Sequence, residues 1–447
     1  MVVDEVHILS RCLVQPPHKN RKKEQQIIHL TPWDLMSIST GYIQKGILFS
    51  KPCSSKSINS IIDSLKSSFS LTLNHFFPLA GRLTVTSHES TPPSFSICIS
   101  CKGEGAEFIH AVANEVTISD IVNSTTVPPI LHLFFHLNEA LNFEGQSLPL
   151  LSAQVTELKD GGIFIGCSFN HLVGDGFSFW HFMNSWSEIS RTGSHSITLP
   201  PSLERWFIDS CTPPIRLPFQ QPQDLIKSYS PPQLDECALH FSAQMVAKLK
   251  AKANKEMQTN KISSLQALLA HVWQSVTRAR CLKPDQPTGY FLAMGNRSRL
   301  DPPLPSAYMG NSLQIADAVR ILAGELVGGS LGWAANLLNE AVASVTHDKI
   351  IEFLDSWPKC PTFNGISQFT PCDLFTGSSP RFDVYGNDFG WGKPIAVRSG
   401  GANKFDGKIT VYPGPEKGSI ALEICLLPHV LKRLVEDREF MESVSTP

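Results

Sequence analysis

Apolar positions recur at helical spacing in Ile58, Ile61, Ile62, Leu65 and Phe69, directly after Ser57, whose hydroxyl suits the cap of a first turn. The run ends in the turn-like FFPLAGR of residues 76–82. IFIGCSF, residues 163–169, is apolar throughout and of strand length, the pattern of a strand covered on both faces. Further on, SSLQALLAHVW at 263–273 predicts a helix, GYFLAMG at 289–295 a buried strand, and SIALEICLL at 419–427 a strand before the helical PHVLKRLVEDREFM. ADAVRILAGEL at 316–326 reads as helical or irregular, with a helix after it in LGWAANLLNEAVASV. Helices and strands mix in both halves, so the class is α/β or α+β. Between the halves, residues 199–233 are dense in proline and hold neither a strand nor a helix period. They read as an extended crossover linking a lobe of residues 1–198 to a lobe of residues 234–447.

Length and composition agree with two large units: 447 residues, 42% hydrophobic and 17% charged. A net charge of −2 offers no bulk attraction for nucleic acid or an anionic membrane. The one basic run, His18 to Lys23, is expected in a solvated loop between two strands. The amino-terminal stretch has the composition of neither a signal peptide nor a membrane span, so a cytoplasmic protein is expected. Eleven cysteines are scattered singly. The closest pair, Cys98 and Cys101, falls on opposite faces of a strand, so reduced thiols are expected rather than disulfides or metal ligands.

The stretch SFNHLVGDGFSFWHFMNSW, residues 168–186, concentrates the candidate chemistry. His171, Asp175 and His181 match the offsets of a helical zinc-protease motif, yet Leu172 stands where that motif needs its glutamate and Ser178 where it needs glycine. Gly174 and Gly176 also oppose a helix, at about 1 kcal/mol each relative to alanine. No metal is expected. Two readings remain open from the residues alone. Asp175 can be the cap of the following helix with His171 a satisfied core histidine, or His171 can be a general base at a strand end. A competing nucleophile, Ser330 in Gly328-Gly-Ser-Leu-Gly332, matches a nucleophile elbow in letters but lacks a preceding strand.

His171-Leu-Val-Gly-Asp175-Gly176 together with Asp388-Phe-Gly390-Trp391-Gly392 resembles the paired HxxxDG and DFGWG signatures of the plant BAHD family of CoA-dependent acyltransferases. FFPLAGR, the SSLQALLAHVW helix, GNRSRLDPPLP and YMGN fall in that family's order, so the resemblance spans essentially the whole chain. It implies a two-lobed fold similar to chloramphenicol acetyltransferase, a mixed sheet with helices in each lobe and a channel between them. Acyl-CoA is the implied co-substrate and no cofactor is permanently bound. His171 is the implied general base, with no covalent intermediate, and Asp175 joins it as a catalytic candidate whose expected role is a brace paired with Arg297 or Arg299. Asp388, Gly390, Trp391 and Gly392 are expected to be architectural. Lys261, Ser263 and Ser264, at a helix start, are the expected CoA-phosphate contacts. Trp33, Tyr42, Gln44 and Ser379 are the expected acceptor pocket; Ser379-Pro380 stands where many relatives carry Ser-Trp, which puts a shikimate-type acceptor in doubt. The implied activity is acyl transfer, acetyl favoured, to a hydroxyl of a plant specialised metabolite, by a monomer. The alternatives are N-acylation of an amine, a hydrolase or lyase using His171 without CoA, and a non-catalytic binding protein.

Overall fold

The computed structural model describes residues 5–17, 26–52, 57–89, 92–226, 229 and 231–445. The basic run at 18–23 lies outside them. The first six-stranded sheet has the order β1 (His7–Val14), β6 (Ala106–Ala113), β7 (Leu151–Leu158), β8 (Ile163–Phe169), β3 (Ile43–Phe49) and β13 (Ala396–Ser399). The second has the order β11 (Leu313–Leu322), β10 (Pro287–Gly295), β12 (Leu374–Ser378), β14 (Lys408–Pro413), β15 (Ile420–Leu426) and β9 (Asp235–Phe241). Each mixes parallel and antiparallel neighbours: β6 with β7 in the first sheet and β10, β12 and β14 in the second run parallel. A small third sheet orders β2 (Ile27–His29), β5 (Ser94–Ser100) and β4 (Arg82–His88).

β8 is buried at every residue, as its unbroken apolar run requires. On one face lie the helices Ile58–His75 and Gly176–Thr192; on the other, Phe134 and Phe135 pack against Phe164. The two helices interlock through Phe69, which meets Trp186 at 5.0 Å and Phe182 at 5.9 Å between ring centroids. Trp186 donates its indole N–H to the carbonyl of Leu65 at 3.2 Å and the hydroxyl of Ser68 at 3.1 Å, so burial leaves no polar group unsatisfied there. In the second lobe the helices Ala243–Glu256, Ser264–Ala279 and Leu331–Ser344 pack together, and Trp273 donates to Thr288 of β10 at 3.0 Å.

The segment 316–322 belongs to a strand, not a helix: β11 pairs antiparallel with β10 from Leu313 to Leu322. Its apolar letters carry no period that separates the two states, and the partner strand decides. The stretch 428–441 is broken at Asp437, which caps a second short helix, Arg438–Met441. Although β13 lies far along the chain, it crosses back and pairs with β3, Ser399 opposite Lys45. The carboxy-terminal half of the chain thereby supplies an edge strand of the first sheet.

Candidate active site

β8 ends at Phe169 and the chain turns sharply through Asn170 and His171. Two asparagines hold the turn: Asn142 accepts the backbone N–H of His171 at 2.7 Å, and Asn170 donates to the carbonyl of Asn142 at 2.8 Å. Asn142 is itself fixed by donating to the carbonyls of Ser37 and Gly41 at 2.9 and 3.2 Å. Gly174 lets the turn close, because a Cβ there would lie 2.5 Å from that of Ser178.

His171 lies 3.0 Å through Nδ1 from the side-chain oxygen of Asn311, in the second lobe. The Asn311 amide nitrogen already donates to Asp34 at 2.9 Å and to the carbonyl of His171 at 2.6 Å. Its oxygen must therefore accept, which makes Nδ1–H the donor and leaves Nε2 with a free lone pair. Burial lowers the pKa of the imidazole below 6.5, and the positive charge of Lys408 adds to that. Its own carbonyl, Asp175 and Asn311 act the other way but do not offset the burial. At neutral pH the ring is an uncharged base in a single tautomer.

Behind Asn311 stands a buried ion pair absent from the sequence reading. Asp34 accepts both the backbone and the side-chain N–H of Asn311, each at 2.9 Å, and the Arg205 Nε–H at 3.1 Å. Arg205 comes from the proline-rich crossover and also donates to the carbonyl of Val173 at 2.7 Å and to that of Met309. The crossover is therefore part of the frame around His171, not only a tether. Both TPWDL and YMGN were visible in the sequence, but nothing in their spacing links residues 34, 205 and 311.

Asp175 does not address the reacting side of His171. One oxygen caps the helix Gly176–Thr192, accepting from Phe177 at 3.0 Å and Ser178 at 3.1 Å. Both take Arg297, at 2.6 and 3.0 Å, and the backbone N–H of Ser312 adds a contact at 3.2 Å. Burial would raise its pKa, yet the Arg297 charge and these hydrogen bonds outweigh it and hold the carboxyl below the usual carboxylate range. With its oxygens occupied in this way, Asp175 has the geometry of the expected brace. Arg297 is its partner; Arg299 instead donates to the carbonyls of Val342 and Val345 at 3.1 and 2.8 Å.

His181 faces the other way, with Nε2 2.8 Å from the Leu199 carbonyl. The three apparent ligands diverge, and among the described residues no group of three or more His, Cys, Asp or Glu could hold a metal ion. Ser330 caps the helix Leu331–Ser344, accepting from Trp333 at 3.1 Å, and follows the helix Ala323–Gly328 rather than a strand.

DFGWG lies at the far end of the helix Gly176–Thr192. Asp388 folds its own loop, accepting from the N–H groups of Gly390 at 2.8 Å and Gly392 at 3.1 Å. Those glycines adopt φ of 103° and 113°, which other residues rarely reach. Phe389 packs edge-on against Trp186 at 5.1 Å, Trp391 stacks on Phe389 at 5.8 Å, and the Phe389 carbonyl accepts from Ser190 at 3.2 Å. Ser190 is 15 residues beyond Asp175, so the motif docks roughly 20 Å along the helix from His171 at 1.5 Å per residue.

Ser263 caps the helix Ser264–Ala279, its hydroxyl accepting from Gln266 at 3.3 Å, and Lys261 is exposed beside it. Three of the expected acceptor-pocket residues are buried. Trp33 is 1% exposed and stacked on Trp206, and Tyr42 is fully buried with its hydroxyl on the Pro149 carbonyl. Gln44 is also buried, with its amide held by His136, Ser168 and Ala402. Nothing in the local sequence pattern signals their burial. Ser379 is half-buried and opens a turn whose Phe382 packs against Gly176 and Phe177.

The Transferase family model matches residues 5–441. An uncharacterized acetyltransferase of Arabidopsis thaliana is 38% identical, covering 98% of this chain and 99% of that protein. The BAHD acyltransferase DCR of Arabidopsis thaliana is 34% identical, covering 98% of this chain and 93% of its own length. The chain belongs to the BAHD acyltransferases. It is a CoA-dependent acyltransferase of that family. Vinorine synthase, at 19% identity, has the same two-lobed BAHD fold, with a TM-score of 0.76 over 99% of both chains. No helix among the described residues of this BAHD chain is long and apolar enough to cross a membrane.

Proposed function

We propose that the chain moves an acyl group, acetyl favoured, from acyl-CoA to a hydroxyl of a plant specialised metabolite, with His171 as general base. The observation that carries this reading is the imidazole itself. It is partly exposed between the lobes, depressed in pKa, and oriented by Asn311 so that Nε2 is free. The acceptor O–H gives its proton to Nε2 as its oxygen bonds to the thioester carbon. The tetrahedral intermediate then collapses with loss of the C–S bond, and the proton passes from His171 to the departing thiolate, giving free CoA. Removing the proton in step with attack contributes about 10² to 10⁴ in rate, and holding both substrates at one base adds several kcal/mol through proximity.

The lobes are assigned as residues 1–198 and 234–447 with 199–233 between them, in a cytoplasmic monomer. Lys261, Ser263 and Ser264 are assigned to CoA phosphate, since an exposed lysine at a helix start suits an anion. Ser379 is assigned to the acceptor side because its turn abuts Gly176. The test is free-thiol release with acetyl-CoA across a panel of alcohols and amines, with products identified by mass. His171→Ala should lower kcat/KM by about 10²-fold or more; turnover equal to wild type would overturn the assignment.

A further inference from the structure

Two lysines stand without an ion pair in the seam between the lobes, among the described residues. Lys45 on β3 places its Nζ 3.4 Å from the Ser399 hydroxyl and 4.8 Å from the centroid of the Tyr412 ring. Lys408, which begins β14, holds its Nζ 4.1 Å from the centroid of Phe375. Both are half-buried, and among the described residues neither forms an ion pair.

The neighbouring charges are otherwise engaged. Lys404 pairs with Glu236, which also contacts His132 Nε2 at 3.0 Å. Glu423 attracts Lys45 electrostatically without forming an ion pair with it, and its two oxygens share the backbone N–H of Ser399, at 3.0 and 3.1 Å. Tyr412 shares a 2.7 Å hydrogen bond with Ser399, and burial raises the Cys425 thiol to about 12, so neither supplies an anion. Three amines thus face two carboxylates, and Lys45 and Lys408 lack an ion-pair partner among the described residues. Burial pushes Lys45 and Lys408 each down to about 7, and the cationic neighbours reinforce the shift. Unpaired buried cations are costly, and a lobe interface built only for stability would place apolar side chains there.

Their location gives the cost a use. Lys408 Nζ lies 3.0 Å from where a Cβ of Gly377 would stand, two residues before Ser379, whose turn reaches Gly176 through Phe382. The Lys408 charge is felt at His171. The aromatic rings of Phe375, Phe405 and Tyr412 flank the amines, and of these the half-buried Phe375 can meet the organic part of a ligand.

We propose that Lys45 and Lys408 form a carboxylate-recognition site beside His171, so that the substrate of this enzyme carries a carboxylate, on the acceptor or on the transferred acyl group. The proposal deepens the transfer reading and rests on it for the identity of the site. It is tested by equilibrium binding, which does not require turnover. Titration calorimetry on the wild type and His171→Ala compares 3-hydroxybenzoate with its methyl ester, and malonyl-CoA with acetyl-CoA, at about pH 8 in two buffers of different ionisation heat.

The acid of one pair should bind about tenfold or more tightly than its neutral analogue, the usual worth of a charge-assisted hydrogen bond. It should do so with proton uptake, because an anion restores the ammonium form. A preference within the first pair assigns the carboxylate to the acceptor, and within the second to the donor. Lys45→Met and Lys408→Met should abolish the preference and the proton uptake while leaving the neutral analogue's affinity in place. Equal affinities within both pairs, or a preference that survives both variants, would overturn the proposal. So would loss of the preference only together with acetyl-CoA binding, which would place the lysines in the frame. Failure of the transfer reading appears separately, as absent thiol release by wild-type protein.

Discussion

Removing the Asp175 carboxylate should act on stability first and on chemistry only through it. Asp175→Ala strands the Arg297 guanidinium, 12% exposed, without its partner; breaking such a buried pair costs about 3–5 kcal/mol. The lost cap on Phe177 and Ser178 adds about 1 kcal/mol. The sum, roughly 4–6 kcal/mol, reaches the lower end of the total stability of a folded domain. Urea unfolding followed by tryptophan fluorescence measures it directly. Adding Arg297→Met removes the stranded charge, so the double variant should recover most of the pair's share, a coupling of about 3 kcal/mol, near the top of the range measured for residues in direct contact. In protein that remains folded, the acid limb of the kcat/KM profile should move down slightly, because Asp175 raises the His171 pKa. An Asp175→Ala protein as stable as wild type that has lost its acid limb would refute this reasoning and give the carboxylate a direct role on the imidazole.

Asn311→Ala should reduce kcat by about 10- to 100-fold, the size usual for loss of a histidine's orienting partner, with little change in KM for acyl-CoA, because it frees the imidazole tautomer rather than a substrate contact. Since His171 acts as a neutral base and burial lowers its pKa, the acid limb of wild-type kcat/KM should lie below pH 6.5; a midpoint above that value would contradict the geometry. Lys45 and Lys408 fall to about 7 in the fold against 10.5 for the free side chain, so between these values the unfolded chain binds more protons and native stability rises with pH. Thermal melts from about pH 7 to 9 should show the rise, and Lys408→Met should flatten it. Ser330→Ala should leave acyl transfer unchanged and cost about 1 kcal/mol as a lost helix cap; a large loss of turnover would revive a serine nucleophile.

Local signals proved sufficient wherever one element carries its own instruction. The helix after Ser57 begins on that cap. The unbroken apolar run of β8 is buried on both faces, and Asp175 with two glycines marks the start of the following helix. His171 stands out for the same reason, a base at a strand end beside a turn. What the one-dimensional pattern could not contain is every contact made across the lobes. Asn311 orients His171 from 140 residues away, Asp34 and Arg205 meet over 171 residues, and β13 returns to pair with β3. Such contacts leave no period and no fixed spacing, because they depend on how two sheets pack and not on the geometry of one element. The burial of Tyr42 and Gln44 is decided in the same way, by packing and not by their own polar chemistry. Lys45 and Lys408 are the converse case, ordinary surface letters in the sequence that the meeting of the lobes half-buries without an ion pair among the described residues.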